Sequence, residues 1–165
     1  MRVIFALLIL TLACTTLPTR ALEIGDAAPP LSIAEWAKGE PVTMQKGSVY
    51  VLDFWATWCA PCIRIIPHTS DIQTKYKDKG VTIIAISKEP AGKVKGFVGG
   101  VGKRMLYTVA IDDGGKTDSA YQGGFKVNSI PHAYVIDKEG KIAWHGHPAA
   151  GLEEAIEAAL AEKPE

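Results

Sequence analysis

The sequence has few cysteines, no excess of either charge and no long hydrophobic run. Three cysteines in 165 residues are too few for a small domain held together by several disulfides. The 18 basic residues balance the 18 acidic ones, and no cluster of lysine and arginine forms the electrostatic surface that nucleic acid binding requires. We therefore expect no nucleic acid partner.

The composition is typical of one folded domain. Hydrophobic residues make up 47% of the chain, which is enough to build a core and excludes disordered and collagen-like proteins. A length of 165 residues fits a single domain. No internal repeat, low-complexity segment or linker divides the chain after its N-terminal segment.

The N-terminal 21 residues are typical of a secretory signal peptide. Arg2 is followed by an apolar run from Val3 to Ala13, about half of the roughly 20 residues that span a bilayer. Small residues in the segment Thr19-Arg20-Ala21 suit a signal peptidase, and we expect cleavage after Ala21.

The predicted mature domain, residues 22–165, contains only Cys59 and Cys62. It would lie in the periplasm or otherwise outside the cytoplasm, where thiols are oxidised unless electrons are supplied. Two alternatives for the N-terminus stay open. One is an uncleaved membrane anchor, and the other is lipid attachment at Cys14, because Leu12 to Thr15 is similar to a bacterial lipobox.

Hydrophobic periodicity predicts an α/β fold. Nearly continuous apolar runs at 49–56 and 81–87 are typical of strands buried on both faces of a parallel sheet. Apolar residues recur at helical spacing from Pro61 until Gly80, so strand, helix and strand form a βαβ unit. Weaker patterns predict short strands at 31–33 and 42–44, a helix at 91–100, strands at 107–111, 132–136 and 141–145, and a closing helix containing Leu152, Ile156 and Leu160.

Cys59 and Cys62 lie where the buried strand ends and the helix begins. The free N–H groups and the positive dipole end of a helix N-terminus favour a thiolate, so Cys59 should ionise below the usual thiol pKa of about 8.5. Cys62, one turn further along, is placed to attack a mixed disulfide on Cys59. Pro61 is compatible with the first helical turn. Such a pair can exchange two electrons with a partner's disulfide.

Other uses of two closely spaced cysteines have less support. A zinc site needs four ligands, and only His68 lies nearby. Covalent haem attachment would need a histidine at position 63, which is Ile63. The interpretation as a purely structural disulfide stays open, although so short a loop restrains the unfolded chain little.

Two other motifs predict no ligand site. His145 and His147 are too few to bind a metal, and the glycines at 99–102 lack the spacing of a P-loop. We expect neither metal nor cofactor.

The residues around this pair closely resemble the thioredoxin superfamily. The resemblance rests on the string from Phe54 to Cys62, FWATWCAPC, on Pro67 in the following helix and, much later, on Ile130-Pro131. The exported TlpA/ResA type is the most similar, from Ile24 to the closing helix. The resemblance implies a thioredoxin-like fold, in which a βαβ unit and a ββα unit form a mixed central sheet with a short N-terminal extension.

The resemblance assigns roles to four residues, and the position of Trp58 next to Cys59 suggests a role for a fifth. Cys59 would be the nucleophile and Cys62 the resolving cysteine, and the two would form the redox disulfide. Pro131 would be a cis proline facing the pair, so that the backbone of Ile130 can pair with a docked substrate strand. Trp58 would flank the thiolate as an apolar contact for partners, its alternative role being packing alone.

Two acidic residues are candidates for the proton acceptor. Asp53 lies in the buried strand six residues before Cys59 and matches the buried aspartate of thioredoxins. Burial should raise its pKa and suit it to accept the proton of Cys62 through water. Many TlpA-like proteins use a glutamate after the next strand, near the place of Glu89. We interpret Glu89 as a solvated loop residue and predict Asp53 as the acceptor, with Glu89 as the alternative.

His132 departs from the pattern of the family. Threonine commonly follows the cis proline there, whereas this chain has His132. An imidazolium that faced Cys59 would stabilise its thiolate. A strand residue turned elsewhere would not, and the sequence leaves both alternatives open.

These features predict a thiol–disulfide oxidoreductase outside the cytoplasm that acts on protein disulfides. The resemblance implies the reductive direction and hence a membrane thiol-transfer protein as electron donor. A peroxiredoxin-like peroxidase is one alternative, although peroxiredoxins have Thr or Ser three residues before the nucleophile and this chain has Ala56. A binding or scaffold module in cytochrome c maturation, with an idle disulfide, is another.

Overall fold

Six strands form one mixed sheet in the computed structural model, which describes residues 20–162. The strands are β1 (Ile33–Lys38), β2 (Val49–Phe54), β3 (Val81–Ser87), β4 (Thr108–Asp112), β5 (His132–Ile136) and β6 (Ile142–Gly146). Their order across the sheet is β1-β4-β3-β2-β5-β6. β3 runs parallel to β2 and β4, whereas β1, β5 and β6 are antiparallel to their neighbours.

Four helices connect or follow the strands. The helices are α1 (Ala60–Tyr76), α2 (Ala91–Val101), α3 (Lys116–Asp118) and α4 (Leu152–Ala161). α1 follows β2, α2 joins β3 to β4, α3 continues into a π-helical turn at Ser119–Gly123, and α4 ends the described chain. None of the helices between residues 20 and 162 is long and apolar enough to cross a bilayer. The predicted βαβ and ββα units, and with them the thioredoxin-like fold class, are confirmed.

The sheet separates two buried clusters. On one face, here called the helical face, α1, α2 and α4 pack over the sheet together with Cys59 and Cys62. On the opposite face, Phe54, Tyr121 and Tyr134 form an aromatic cluster covered by the N-terminal segment. The ring centroids of Phe54 and Tyr134 lie 5.6 Å apart. Because side chains alternate along a strand, neighbouring residues of β2 belong to different clusters.

The structure differs from the sequence-based assignment in three details. The strand predicted at 31–33 begins only at Ile33 and continues to Lys38. The stretch 42–44 is not a strand, because Val42 and Met44 pack against the opposite face from irregular backbone. The helical segment at 116–123 was not predicted, although Asp112 at the end of β4 caps it. The Asp112 carboxylate accepts hydrogen bonds from the backbone N–H groups of Thr117 at 2.9 Å and Asp118 at 2.8 Å. Such a cap stabilises a helix that has little apolar periodicity of its own.

The N-terminal predictions fall mainly outside the described residues. Cys14 and the predicted signal peptide up to position 19 lie there. Arg20, the first described residue, forms ion pairs with Glu23 at 2.8 Å and with Asp26 at 3.4 Å. The cleavage site after Ala21 stays a prediction.

The side chain of Gln73 joins α1 to β3. Its amide nitrogen donates to the carbonyl oxygen of Val81 at 3.0 Å, and its amide oxygen accepts from the N–H of Ile83 at 2.7 Å. All the atoms involved are buried, so no water replaces these bonds when the side chain is removed. Gln73 thereby holds the helix that begins at Cys59 against the strand next to β2.

Replacing this glutamine tests its contribution to stability. Gln73→Leu leaves one buried donor and one buried acceptor unpaired, so we expect a loss of about 2 to 4 kcal/mol in the free energy of unfolding, measured by urea denaturation. Gln45→Leu is the control, because Gln45 is exposed and has no side-chain hydrogen bond within residues 20–162. Equal effects of the two substitutions would contradict the prediction.

Candidate active site

Cys59 and Cys62 form a disulfide at the N-terminus of α1. The sulfur atoms are 2.08 Å apart, and the Cα atoms are 5.2 Å apart. Cys59 is the N-cap residue, its Sγ accepts a hydrogen bond from the N–H of Cys62 at 3.3 Å, and Pro61 lies in the first turn. The first turn contains no acidic residue. Negative charge on Cys59 is therefore favoured by the helix end and opposed by no nearby carboxylate of that turn.

The segment before β5 closes one side of the disulfide. The peptide bond between Ile130 and Pro131 is cis, and the carbonyl oxygen of Ile130 lies 3.8 Å from Sγ of Cys59. Trp58, directly before Cys59, is 68% exposed. The ends of two neighbouring strands, β2 and β5, thus bring Trp58, Cys59, Ile130 and Pro131 together.

Asp53 is buried beneath α1. It is in register with Ala85 of β3 and Ala133 of β5, whose small side chains leave room for the carboxyl group. Its Oδ1 has no hydrogen-bond partner among the described residues, and burial raises its pKa from 3.8 to about 7. Tyr107, just before β4, is also buried, and its pKa is raised first by burial and then by the charge of Asp53.

Glu89 is not the solvated loop residue that we expected. Its carboxylate accepts hydrogen bonds from the backbone N–H of Thr57 at 2.6 Å and from the Thr57 hydroxyl at 2.9 Å. It also pairs with Lys93 of α2 at 2.6 Å, and its side chain is only 11% exposed. Burial acts to raise the pKa of Glu89, but Lys93 and Thr57 outweigh burial and lower it. Glu89 therefore stays ionised and holds the segment before Trp58.

His132 lies on the opposite face, away from the disulfide. Its Nε2 is 2.9 Å from Nδ1 of His145, and its ring packs against Tyr134. Burial lowers the pKa of His132 to about 4, with smaller contributions from His145 and His147. The alternative in which an imidazolium at 132 faces Cys59 is therefore wrong. Within residues 20–162 no three potential ligands converge on a metal site.

A cavity of about 260 Å³ opens beside the disulfide, between the end of β2 and the segment before Pro131. The ion pair of Lys88 with Asp118, at 2.9 Å, lies at this cavity. The residues that line the cavity include Phe54, Trp58, Ile86, Glu89, Asn128 and Ile130. Sequence reasoning missed Asn128, Lys93 and Tyr107. Only Asn128 had a usable signal, its position two residues before Ile130.

Comparisons with known proteins agree with this geometry. The AhpC/TSA family matches residues 24–145. The thiol-disulfide oxidoreductase ResA of Bacillus thuringiensis (strain Al Hakam) is 36% identical over 124 residues, which are 73% of this chain and 68% of that protein.

Two solved structures have a similar fold. One is a candidate thiol:disulfide interchange protein DsbE from Chlorobium tepidum, with a TM-score of 0.70, 32% identity and coverage of 86% of this chain and 100% of that one. The other is a candidate protein disulfide isomerase from Bacteroides thetaiotaomicron, with a TM-score of 0.72, 30% identity and coverage of 86% and 92%.

The raised pKa of Asp53 predicts a pH-dependent stability. The folded state binds the Asp53 proton more tightly than the unfolded chain, since its pKa is about 7 rather than 3.8. The resulting stabilisation is complete below pH 3.8 and is lost as the pH rises to about 7. Between about pH 4 and pH 8, the oxidised wild type should lose up to about 4 kcal/mol relative to Asp53→Asn.

Urea denaturation of both proteins across this range measures the difference. Asp71→Asn, on the exposed side of α1, is the control and should follow the wild type at every pH. A constant difference between the wild type and Asp53→Asn would show that Asp53 is not buried as described.

Proposed function

Because this chain belongs to the AhpC/TSA family of thioredoxin-like proteins and is a thiol–disulfide oxidoreductase, we propose that it reduces protein disulfides outside the cytoplasm through Cys59 and Cys62. The observation that supports this most strongly is the buried disulfide at the start of α1, next to the peptide that precedes Pro131. Export rests on the proposed signal peptide, residues 1–21, which would release the domain 22–165.

In the reduced protein, the Cys59 thiolate attacks one sulfur of the partner's disulfide. A mixed disulfide forms between Cys59 and that sulfur, and the partner's other sulfur leaves as a thiolate that takes up a proton. The Cys62 thiolate then attacks the Cys59 sulfur, and the partner's second sulfur leaves and is protonated. The partner gains two electrons, and this chain ends with the disulfide seen in the structure.

Asp53 is the proposed proton acceptor for Cys62. A carboxyl group with a pKa of about 7 can accept a proton near neutral pH, which is the condition for effective general base catalysis. Glu89 is unsuited to this role, since its pKa is lowered and both of its oxygens already accept hydrogen bonds. We propose that Glu89 positions Thr57, and with it Trp58, instead.

The partner's polypeptide would bind beside Pro131. The exposed ring of Trp58 offers an apolar contact, and the backbone of Ile130 can pair with an extended segment of the partner. The adjoining cavity is large enough for one or two side chains of that segment. Continued turnover as a reductase needs an electron donor, for which we propose a membrane thiol-transfer protein. Lipid attachment at Cys14 is the alternative to release of the domain.

Trapping of the intermediate tests the proposed order of attack. Cys62→Ala should accumulate mixed disulfides with partner proteins, because Cys59 still attacks and nothing resolves the product. Non-reducing electrophoresis of cell extracts, with and without dithiothreitol, detects them. Cys59→Ala is the matched control and should trap none. If neither variant formed mixed disulfides with partner proteins, the proposal would be contradicted.

Insulin reduction separates this function from its alternatives. The wild-type protein, reduced beforehand, should reduce insulin disulfides with one disulfide broken for each Cys59–Cys62 pair oxidised. Consumption of hydrogen peroxide without insulin reduction would favour the peroxidase. Unchanged partner binding by a variant with both cysteines replaced by Ala, together with no insulin reduction, would favour the scaffold.

The role of Asp53 predicts a pH profile. In the wild type, release of the partner from the mixed disulfide should accelerate as the pH rises through about 7. Asp53→Asn should slow this step by about 100-fold near neutral pH and remove that inflection. Stopped-flow measurement of thiol release checks both effects. Glu89→Gln is the comparison and should keep the inflection near pH 7. If Glu89→Gln lost this inflection, Glu89 and not Asp53 would be the proton acceptor.

A further inference from the structure

A second apolar surface lies beside the disulfide, separate from the cavity next to Pro131. It is a shallow groove, here called the α1 groove, between α1 and the loop after α2. The residues that line it are Ile63, Ile66, Pro67, Val101 and Arg104, and none of them lines the cavity next to Pro131. Ile63 and Pro67 are exposed. The active site therefore has apolar surface on two sides.

The groove begins one helical turn beyond Cys59, which is itself only 3% exposed. Residues four apart on a helix lie on the same stripe, so Cys59, Ile63 and Pro67 follow one another along it. At a rise of about 1.5 Å per residue, Ile63 lies about 6 Å along the axis from Cys59 and Pro67 about 12 Å. A protein seated in the groove would therefore lie about one to two helical turns from the cysteine that reacts.

The loop that forms the far wall of the groove is held from both sides. The Ser70 hydroxyl of α1 donates to the carbonyl oxygen of Arg104 at 2.7 Å and accepts from the N–H of Leu106 at 3.0 Å. From β1, the ammonium group of Lys38 donates to the carbonyl oxygen of Gly102 at 3.3 Å and to that of Met105. Leu106 is nevertheless 52% exposed. The loop is thus fixed while it presents an apolar side chain to solvent.

Arg104 lines the groove, and two further cations, Arg64 and Lys103, are chain neighbours of its lining residues. Arg64, Lys103 and Arg104 are exposed, and none of them forms an ion pair within residues 20–162. Lys93 and Lys95 of the neighbouring α2, by contrast, pair with Glu89 and Glu35. Three unpaired cations thus stand at or next to the groove, against one exposed carboxylate, Asp71, four residues beyond Pro67 on the same stripe of α1.

We propose that the α1 groove docks the redox partner protein, and that this partner presents an apolar side chain flanked by acidic residues. The inference rests on the proposed function, since it concerns the protein whose disulfide Cys59 attacks. An apolar centre with a charged rim is the usual anatomy of a transient interface, and opposite charges accelerate the encounter. The fixed loop lowers the entropic cost of binding, because its backbone is already ordered.

Disulfide peptides of different charge test the proposal on the full chain in its reduced form. Three peptides share one disulfide and one leucine, and are flanked by glutamates, serines or lysines. At low ionic strength the wild type should reduce the glutamate peptide at least about 10-fold faster than the lysine peptide. Salt should diminish this ratio, since it screens exposed charges.

Charge-reversal variants show which cations cause the difference between the rates for the glutamate and lysine peptides. Lys103→Glu combined with Arg104→Glu should invert the ratio, and Arg64→Glu alone should lower it. The matched control combines Lys46→Glu with Lys77→Glu, two exposed lysines at the other end of the sheet, and should keep the wild-type ratio. Equal rates for the glutamate and lysine peptides would overturn the docking proposal, provided that the serine peptide is reduced. Failure of the wild type to reduce any peptide would instead overturn the proposed function.

An anionic membrane carries the same negative charge as the proposed partner, so binding to anionic vesicles is measured as well. Sedimentation with phosphatidylglycerol vesicles measures binding of the wild type and of the variant with Lys103→Glu and Arg104→Glu. Loss of vesicle binding in this variant, with an unchanged ratio of peptide rates, would make the groove a membrane contact and overturn the proposal. An inverted peptide ratio supports the protein partner.

Discussion

The register of β2 between its two neighbours determines the geometry of the active site. Asp53 pairs with Ala85 on one side and Ala133 on the other, and Phe54 pairs with His132. This pairing places the end of β2, and therefore Cys59, beside the segment that contains Pro131. A shift by one residue would exchange the two faces of β2. Asp53 would then enter the aromatic cluster, and Phe54 would lie beneath α1.

Two carboxyl groups near the disulfide acquire opposite properties from their surroundings. Asp53 lies between two alanines with no cation among its described neighbours, so burial dominates and its pKa rises to about 7. Glu89 is also largely shielded from solvent, but Lys93 and Thr57 compensate its charge, and its pKa falls. The same chemical group is thus suited to the proposed role of proton acceptor in one place and to that of a charged anchor in the other.

In the proposed mechanism, the two surfaces beside the disulfide have different roles. The cavity beside Pro131 offers backbone and aromatic contacts to the segment that is being reduced. The α1 groove has apolar residues and unpaired cations further from the sulfurs, where they can attract and orient a whole protein. Because the cavity and the α1 groove are separate, disulfide segments of different sequence can react in the cavity. The charge pattern of the groove then selects the partner proteins that contain these segments.

The fold class and the pair of reactive cysteines could be predicted from the sequence alone. Apolar runs located β2 and β3 closely, because a strand buried on both faces must be apolar along its length. The position of Cys59 at the junction of strand and helix, within the string from Phe54 to Cys62, identified the redox pair. Burial of Asp53 was also predictable, since an acid within a continuous apolar run has little access to water.

The groups that surround that pair depend on contacts between residues far apart in the chain. Glu89 is 32 residues from Thr57 in the chain, yet it accepts hydrogen bonds from it. His132 faces His145 instead of Cys59 because of its register position on β5. The α1 groove exists because Ser70 and Lys38 hold a distant loop against the helix. The sequence pattern records local periodicity and chemistry, whereas these contacts depend on how separate elements pack together.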